Sequence, residues 1–359
     1  MNVVIAESDV LTPYGDGIDA LWNGLLSRRT AIRSSTRFAE RGFVSDQIAM
    51  IPSMEVRPGE SRVMAMMRRL LAPLAEKLDP QTPLILATTV GEIESIEQAV
   101  LGDAPALIAH ANPQVLLKKI KALLGLRGRA WVASSACASS ALALAQAASI
   151  VRRGEADAVL VVACDAISEF VYSGFSTLAS LDPAPARPFA ADRCGLSLGE
   201  TAAWALVAPA SSLRATKNST AILGWASTTD AIHMTAPDRN ATGLKRAIHR
   251  ACAMATIDPG RIDFIAAHGT ATIYSDAMEL TAFRAAIAKP IPIFSIKGGI
   301  GHTLGAAGLA QIIVAGRAIA RQIVPPAVGC ARPDENAAGW VHDKSISLKA
   351  DSIGLSTNS

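Results

Sequence analysis

The chain is poor in paired cysteine spacings. Its 359 residues include five cysteines, an odd number spread along the sequence, with no Cys-x-x-Cys pair. That excludes a disulfide scaffold and a structural zinc site of the usual kind. It also lacks a charge bias. A net charge of +3 is too weak to argue for nucleic acid, which normally needs basic residues gathered on one face. No stretch approaches the roughly 20 uninterrupted apolar residues of a membrane span. The opening MNVVIAESDVLTPYG has no basic start followed by an apolar signal core. Nucleotide loops are missing too: GGIGHTLGAAG gives no clean Gly-x-Gly-x-x-Gly with a later acidic partner, and Gly-x4-Gly-Lys-Ser/Thr does not occur. A soluble, globular, cytoplasmic protein is the expectation.

What is present is a large apolar fraction, half the residues, arranged in alternating segments. Short β-branched runs (MNVVIAE, PLILATTV, AWVASS, DAVLVVACDA, AAWALVA, DFIAAHGT, IPIFSIKG) alternate with helix-length segments such as 61–78, 138–153, 243–255 and 305–321. The strand runs are apolar on both faces, as expected for strands covered by helices on both sides. This predicts a layered α/β protein. The polar stretch APASSLRATKNSTA, 208–221, is the best connection between halves. A faint repeat points to duplication: ACASSALALAQAASIVRRG aligns with GHTLGAAGLAQIIVAGRAI, placing Cys137 against His302 and Arg152 against Arg317. Equivalent helix starts would let Cys137 and His302 face each other near a pseudo-twofold axis.

Cys137 lies among small residues in SSACASS, after a strand run and before a helix, where free N–H groups and the positive dipole end favour a thiolate. A buried, inert cysteine would read similarly, so the residues alone leave both roles open. His268 in AAHGTATIYSD and His302 in IKGGIGHTLG both follow strand runs, where sites of such folds gather. Lys297 stands five residues before His302 and is the only basic residue of its loop. The separations of Cys137, His268 and His302 match no common zinc pattern, so neither metal nor cofactor is expected.

Together these motifs resemble the β-ketoacyl-acyl carrier protein synthases, condensing enzymes of the thiolase superfamily, most closely the elongating Cys-His-His type. The likeness runs nearly end to end, through SSACASSALALAQ, RPFAADRCGLSLGETAA, DAIHMTAPD, AAHGTATIYSDAMEL and IKGGIGHTLGAAG. It implies a thiolase-like layered αβαβα architecture from two duplicated halves, 1–212 carrying the nucleophile and 218–359 carrying the histidines. It further implies that Cys137 accepts an acyl chain while His268 and His302 hold a malonyl thioester, promote decarboxylation and stabilise the enolate. Lys297 matches the supporting lysine, Asp276 and Glu279 match acidic residues after the first histidine, and Thr270 and Thr272 stand in the same block. The implied partner is an acyl carrier protein bearing phosphopantetheine-linked acyl and malonyl groups, with a homodimer or ketosynthase heterodimer as the assembly. Matching regions of the family contact the carrier around Arg57, Arg62, Arg68 and Arg69, and an acidic carrier calls for such a basic patch.

The sequence departs from the pattern at three places. Gln311 stands where the family usually has an acidic residue, and a neutral amide cannot supply charge to Lys297. Cys194 stands at a commonly acidic position. The sequence stops at GLSTNS, where a Gly-Phe-Gly-Gly turn and final strand normally follow. A chain-length-factor subunit of a ketosynthase heterodimer would explain Gln311, but such subunits generally lack the cysteine. A thiolase would use a second cysteine in place of His302.

Overall fold

The computed structural model describes the whole chain apart from Asp103, Met234 and Thr235. The last two fall in the DAIHMTAPD motif, which therefore lies partly outside the described residues. In chain order the main elements are β1 (Val3–Thr12), α1 (Arg62–Leu71), β2 (Leu84–Ala87), α2 (Pro113–Leu123), β3 (Ala130–Ala133), α3 (Ser139–Arg152), β4 (Val159–Asp165) and β5 (Thr201–Pro209). They continue with β6 (Thr220–Ile222), α4 (Thr242–Ala255), β7 (Phe264–Ala266), α5 (Ile273–Ala286), β8 (Ile293–Phe294), α6 (Ala307–Arg321) and β9 (Gly354–Ser356). The large sheet runs β6-β1-β5-β4-β2-β3, with a two-residue strand folded back on β1. The small sheet, β8-β7-β9, is parallel throughout. Each of the seven strand runs expected from the sequence contains a strand.

The five layers follow from strand alternation, because successive side chains point to opposite faces. In β4, Val159, Val161 and Ala163 face the same core as Ala147 of α3, Leu309 and Ile313 of α6, and Phe264 and Ala266 of β7. Leu160, Val162 and Cys164 face the opposite way, against Met66 and Leu70 of α1 and Leu116 and Ile120 of α2. On the far side of the small sheet, Ile265 packs with Ile248 of α4 and Phe283 of α5. Helices α3 and α6 are therefore the filling between the two sheets. Segment Leu304–Arg321 is long and apolar enough to cross a membrane, but 72% of it is buried inside the protein.

One detail differs from expectation. The helix expected over 61–78 stops at Leu71, because Pro73 follows in a short 3₁₀ turn and cannot continue an α-helical ladder. Strand β6, on the C-terminal side of the expected division, pairs antiparallel with β1 of the large sheet.

Candidate active site

Cys137 sits in the turn between β3 and α3. Ala136 before it has φ +45°, a left-handed conformation that costs a non-glycine residue about 1 kcal/mol and persists only where neighbours enforce it. Those neighbours are identifiable. The Ser139 hydroxyl donates to Ala136 O at 2.6 Å and accepts from Ser135 N–H at 2.8 Å, while the Thr89 hydroxyl donates to Ala136 O at 3.2 Å. The other two site loops are bent in the same way, at Ala271 (φ +71°) and Leu304 (φ +51°).

His302 enters from the turn before α6, and its Nε2 lies 3.1 Å from Cys137 Sγ. The two helix starts do face each other: Ser140 Oγ of α3 accepts the Leu309 N–H of α6 at 2.9 Å. His302 Nδ1 accepts the Leu304 N–H at 3.0 Å. In the neutral ring the proton then belongs on Nε2, aimed at the sulfur. His268 follows β7, and its ring centroid lies 5.3 Å from that of His302. Lys297 Nζ lies 3.3 Å from His268 Nδ1 and also donates to His268 O. A protonated lysine there makes Nδ1 the acceptor and leaves Nε2 of His268 as the donor. Reacting atoms of Cys137, His268 and His302 fall within 4.8 Å of one another. That resembles a metal cluster by distance only, because the bond from Leu304 assigns the His302 proton to Nε2 and the Lys297 charge opposes a cation.

The electrostatics follow from burial. Desolvation pushes the Cys137 thiol above its ordinary value, Lys297 pulls it down, and Asp165 adds to the rise. The expected thiolate preference at the helix start is thus outweighed by desolvation. Burial, with the Lys297 charge, holds both histidines well below their usual pKa, so they are neutral donors. Lys297 is lowered to about 8 by desolvation, opposed chiefly by Glu279.

The acidic residues are framework. Glu279 on α5 accepts the N–H groups of His268 (2.9 Å) and Gly269 (2.6 Å) and the Thr357 hydroxyl (2.6 Å). Asp276 accepts from Phe189 N–H at 2.7 Å and Ala271 N–H at 3.1 Å, and burial raises it to about 7. The Thr270 and Thr272 hydroxyls bond to each other at 2.9 Å. Gln311 is held through its amide nitrogen. Its Nε2 donates to Ala266 O (2.6 Å) and Thr357 O (2.9 Å), joining strand β7 to the chain beyond β9. Charge near Lys297 comes from Glu279 instead. Cys194 is exposed, its N–H turned toward Asp182.

Sequence reasoning missed Asp165. Fully buried at the end of β4, it accepts from the Thr88 hydroxyl (2.7 Å), Thr89 N–H (2.9 Å) and Gly305 N–H (2.8 Å), joining the loop that braces Ala136 to the turn after His302. Burial raises it to about 6. An acidic residue ending an otherwise apolar strand was the available signal.

The four arginines of the expected basic patch differ in their surroundings. Arg62 is turned inward, bonded through Nε and Nη2 at 2.7 Å each to the fully buried Glu200 and at 2.8 Å to Ile51 O. Arg68 pairs with Glu60 at 2.9 Å and Arg69 with Asp16. Arg57 is exposed. Three of the four guanidiniums are thus engaged by carboxylates of the chain itself.

A cysteine and two neutral imidazole donors converge between two packed sheets of a thiolase-like fold. Residues 94–212 match "Beta-ketoacyl synthase, N-terminal domain" and residues 220–331 match "Beta-ketoacyl synthase, C-terminal domain". The chain belongs to the β-ketoacyl synthase family, whose members are acyltransferases. It is 28% identical to 3-oxoacyl-acyl-carrier-protein synthase 2 of Synechocystis sp., over 99% of this chain and 94% of that protein. It is 26% identical to the synthase of the same name from Coxiella burnetii, over 98% of this chain and 94% of that protein. Among solved structures, the ishigamide ketosynthase/chain length factor superposes with a TM-score of 0.88 at 26% identity, covering 100% of this chain and 96% of that one.

Proposed function

We propose that the chain performs a decarboxylating Claisen condensation, joining an acyl group on Cys137 to malonyl-acyl carrier protein to give a 3-oxoacyl carrier, in fatty acid, polyketide or polyene synthesis. The observation that carries this reading is the approach of Cys137, His268 and His302 within 4.8 Å. In the first step Cys137 Sγ bonds to the acyl carbonyl carbon, the carrier C–S bond breaks, and the thiol proton leaves on the carrier thiol. In the second, the malonyl C–CO₂⁻ bond breaks and its electron pair moves onto the thioester oxygen, held by the two Nε2–H donors. The enolate carbon then attacks the Cys137 thioester, and Cys137 leaves as thiolate. Lys297 fixes the His268 tautomer, and Asp276, Glu279, Gln311, Thr270 and Thr272 support the loops. Residues 1–212 and 218–359 act as nucleophile and histidine halves, and a cytoplasmic location goes with this chemistry.

The test is mass spectrometry after incubation with acyl-carrier protein. An acyl adduct on Cys137 that disappears in Cys137→Ala is expected. An intact chain without any adduct would refute the condensing role and favour a chain-length-factor subunit.

A further inference from the structure

Two of the bent site turns meet at one atom. Asp165 closes β4, fully buried, and its two oxygens hold different groups. Oδ1 accepts the Thr88 hydroxyl at 2.7 Å, with the Thr89 and Val90 N–H groups farther off at 3.2 Å each. Oδ2 accepts the Thr89 N–H at 2.9 Å and the Gly305 N–H at 2.8 Å. On one side, the Thr89 hydroxyl holds Ala136 O, and Ala136 (φ +45°) directly precedes Cys137. On the other, Gly305 directly follows Leu304 (φ +51°), whose N–H fixes His302 Nδ1 at 3.0 Å. Neither turn keeps such a backbone unaided, since a non-glycine residue in the left-handed region needs its neighbours to hold it. A closed circuit of contacts therefore runs from Cys137 through Thr89, Oδ2 and Gly305 to His302, and returns across the 3.1 Å Sγ–Nε2 contact.

We infer that Asp165 is a positioning residue, whose Oδ2 sets the register of the Cys137 and His302 turns so that the Nε2–H of His302 meets the sulfur. This deepens the condensing function proposed above, on which its role in the reaction rests. An imidazole N–H aimed at sulfur stabilises the thiolate, the form that attacks a carbonyl or an alkylating agent. The carboxylate's own charge works the other way, because it raises the Cys137 thiol. Positioning and charge therefore predict opposite signs when the carboxylate is replaced by a neutral group. An asparagine makes that comparison at nearly constant volume. The Thr88 hydroxyl already accepts the Gly91 N–H at 2.8 Å, so its proton is committed to the Oδ1 site. The asparagine oxygen stays there, and its NH₂ group turns against the N–H groups of Thr89 and Gly305.

The experiment reads the rate at which iodoacetamide alkylates Cys137 in the full chain, located by peptide mass spectrometry, beside Cys137 loading from a saturated acyl-carrier protein. In alkylation Sγ displaces iodide to form a C–S bond and the thiol proton passes to the buffer, so this reading is independent of condensation. Asp165→Asn is expected to slow alkylation about fivefold and loading about tenfold. In a His302→Ala chain the same substitution is expected to give no slowing of alkylation, since the donor it positions is gone. Thr88→Val, which loses a bond to the same carboxylate but leaves Oδ2 in place, is expected to lower Tm while both rates change less than about twofold. Where Asp165→Asn does not fold, Gly305→Ala sets a Cβ 2.8 Å from Oδ2 and repeats the comparison from the other turn. Alkylation in Asp165→Asn at or above the wild-type rate, equal slowing in the His302→Ala chain, or a matching loss in Thr88→Val overturns the positioning role. A wild-type chain that is alkylated but never loaded overturns the condensing function and leaves the alignment standing.

Discussion

Replacing Lys297 by methionine should separate stability from activity. The side chain is fully buried, and its pKa falls from 10.5 to about 8. Each unit corresponds to about 1.4 kcal/mol, so carrying the charge costs the folded protein about 3 kcal/mol near neutral pH. A methionine of similar volume removes that cost. It also removes the charged contact to His268 Nδ1 at 3.3 Å. Hydrogen bonds to charged groups contribute about 1.5–3 kcal/mol, so decarboxylation should fall roughly 10- to 100-fold. The expected outcome of Lys297→Met is an unchanged or raised Tm with a large loss in carbon dioxide release. The sign of the pH dependence gives a second check. A depressed folded-state pKa means the penalty is complete below pH 8 and is relieved between 8 and 10.5. The wild type should therefore gain stability relative to Lys297→Met across that window. A variant that melts earlier, or that releases carbon dioxide at the wild-type rate, refutes the reasoning.

Gln311→Glu places a carboxylate against Ala266 O and Thr357 O. It should lower stability by about 1–3 kcal/mol at pH 7 and recover as falling pH protonates the new acid, read by denaturant titration. Gly305→Ala puts a Cβ 2.8 Å from Asp165 Oδ2 and from Thr89 Oγ1, so a loss of about 1–3 kcal/mol and slower Cys137 acylation are expected from melting and loading assays. Arg62→Ala leaves the buried Glu200 without its bidentate partner and should cost about 3–5 kcal/mol, seen as a shifted denaturant midpoint. An unchanged midpoint would restore Arg62 to the surface.

The layering and the clustering of Cys137, His268 and His302 were legible for different reasons. Strands covered on both faces are apolar throughout, so DAVLVVACDA and DFIAAHGT announced themselves, and their helical coverings followed. The trio was legible because Cys137 and His302 stand at matching helix starts. The inward turn of Arg62 was not, since an arginine in a helix reads alike whether it meets solvent or a distant glutamate such as Glu200. Asp165 stayed hidden for a similar reason. It acts through groups remote in sequence, such as Gly305, whose N–H meets its carboxylate from 140 residues away.

The contact between Cys137 and His302 spans 165 residues of chain. During synthesis, the thiol is made well before either imidazole exists. A growing chain therefore carries its cysteine without the machinery to use a bound acyl group. On the proposed chemistry, competence arrives only once α6 docks against α3, making completion of the middle layer the event that arms the enzyme.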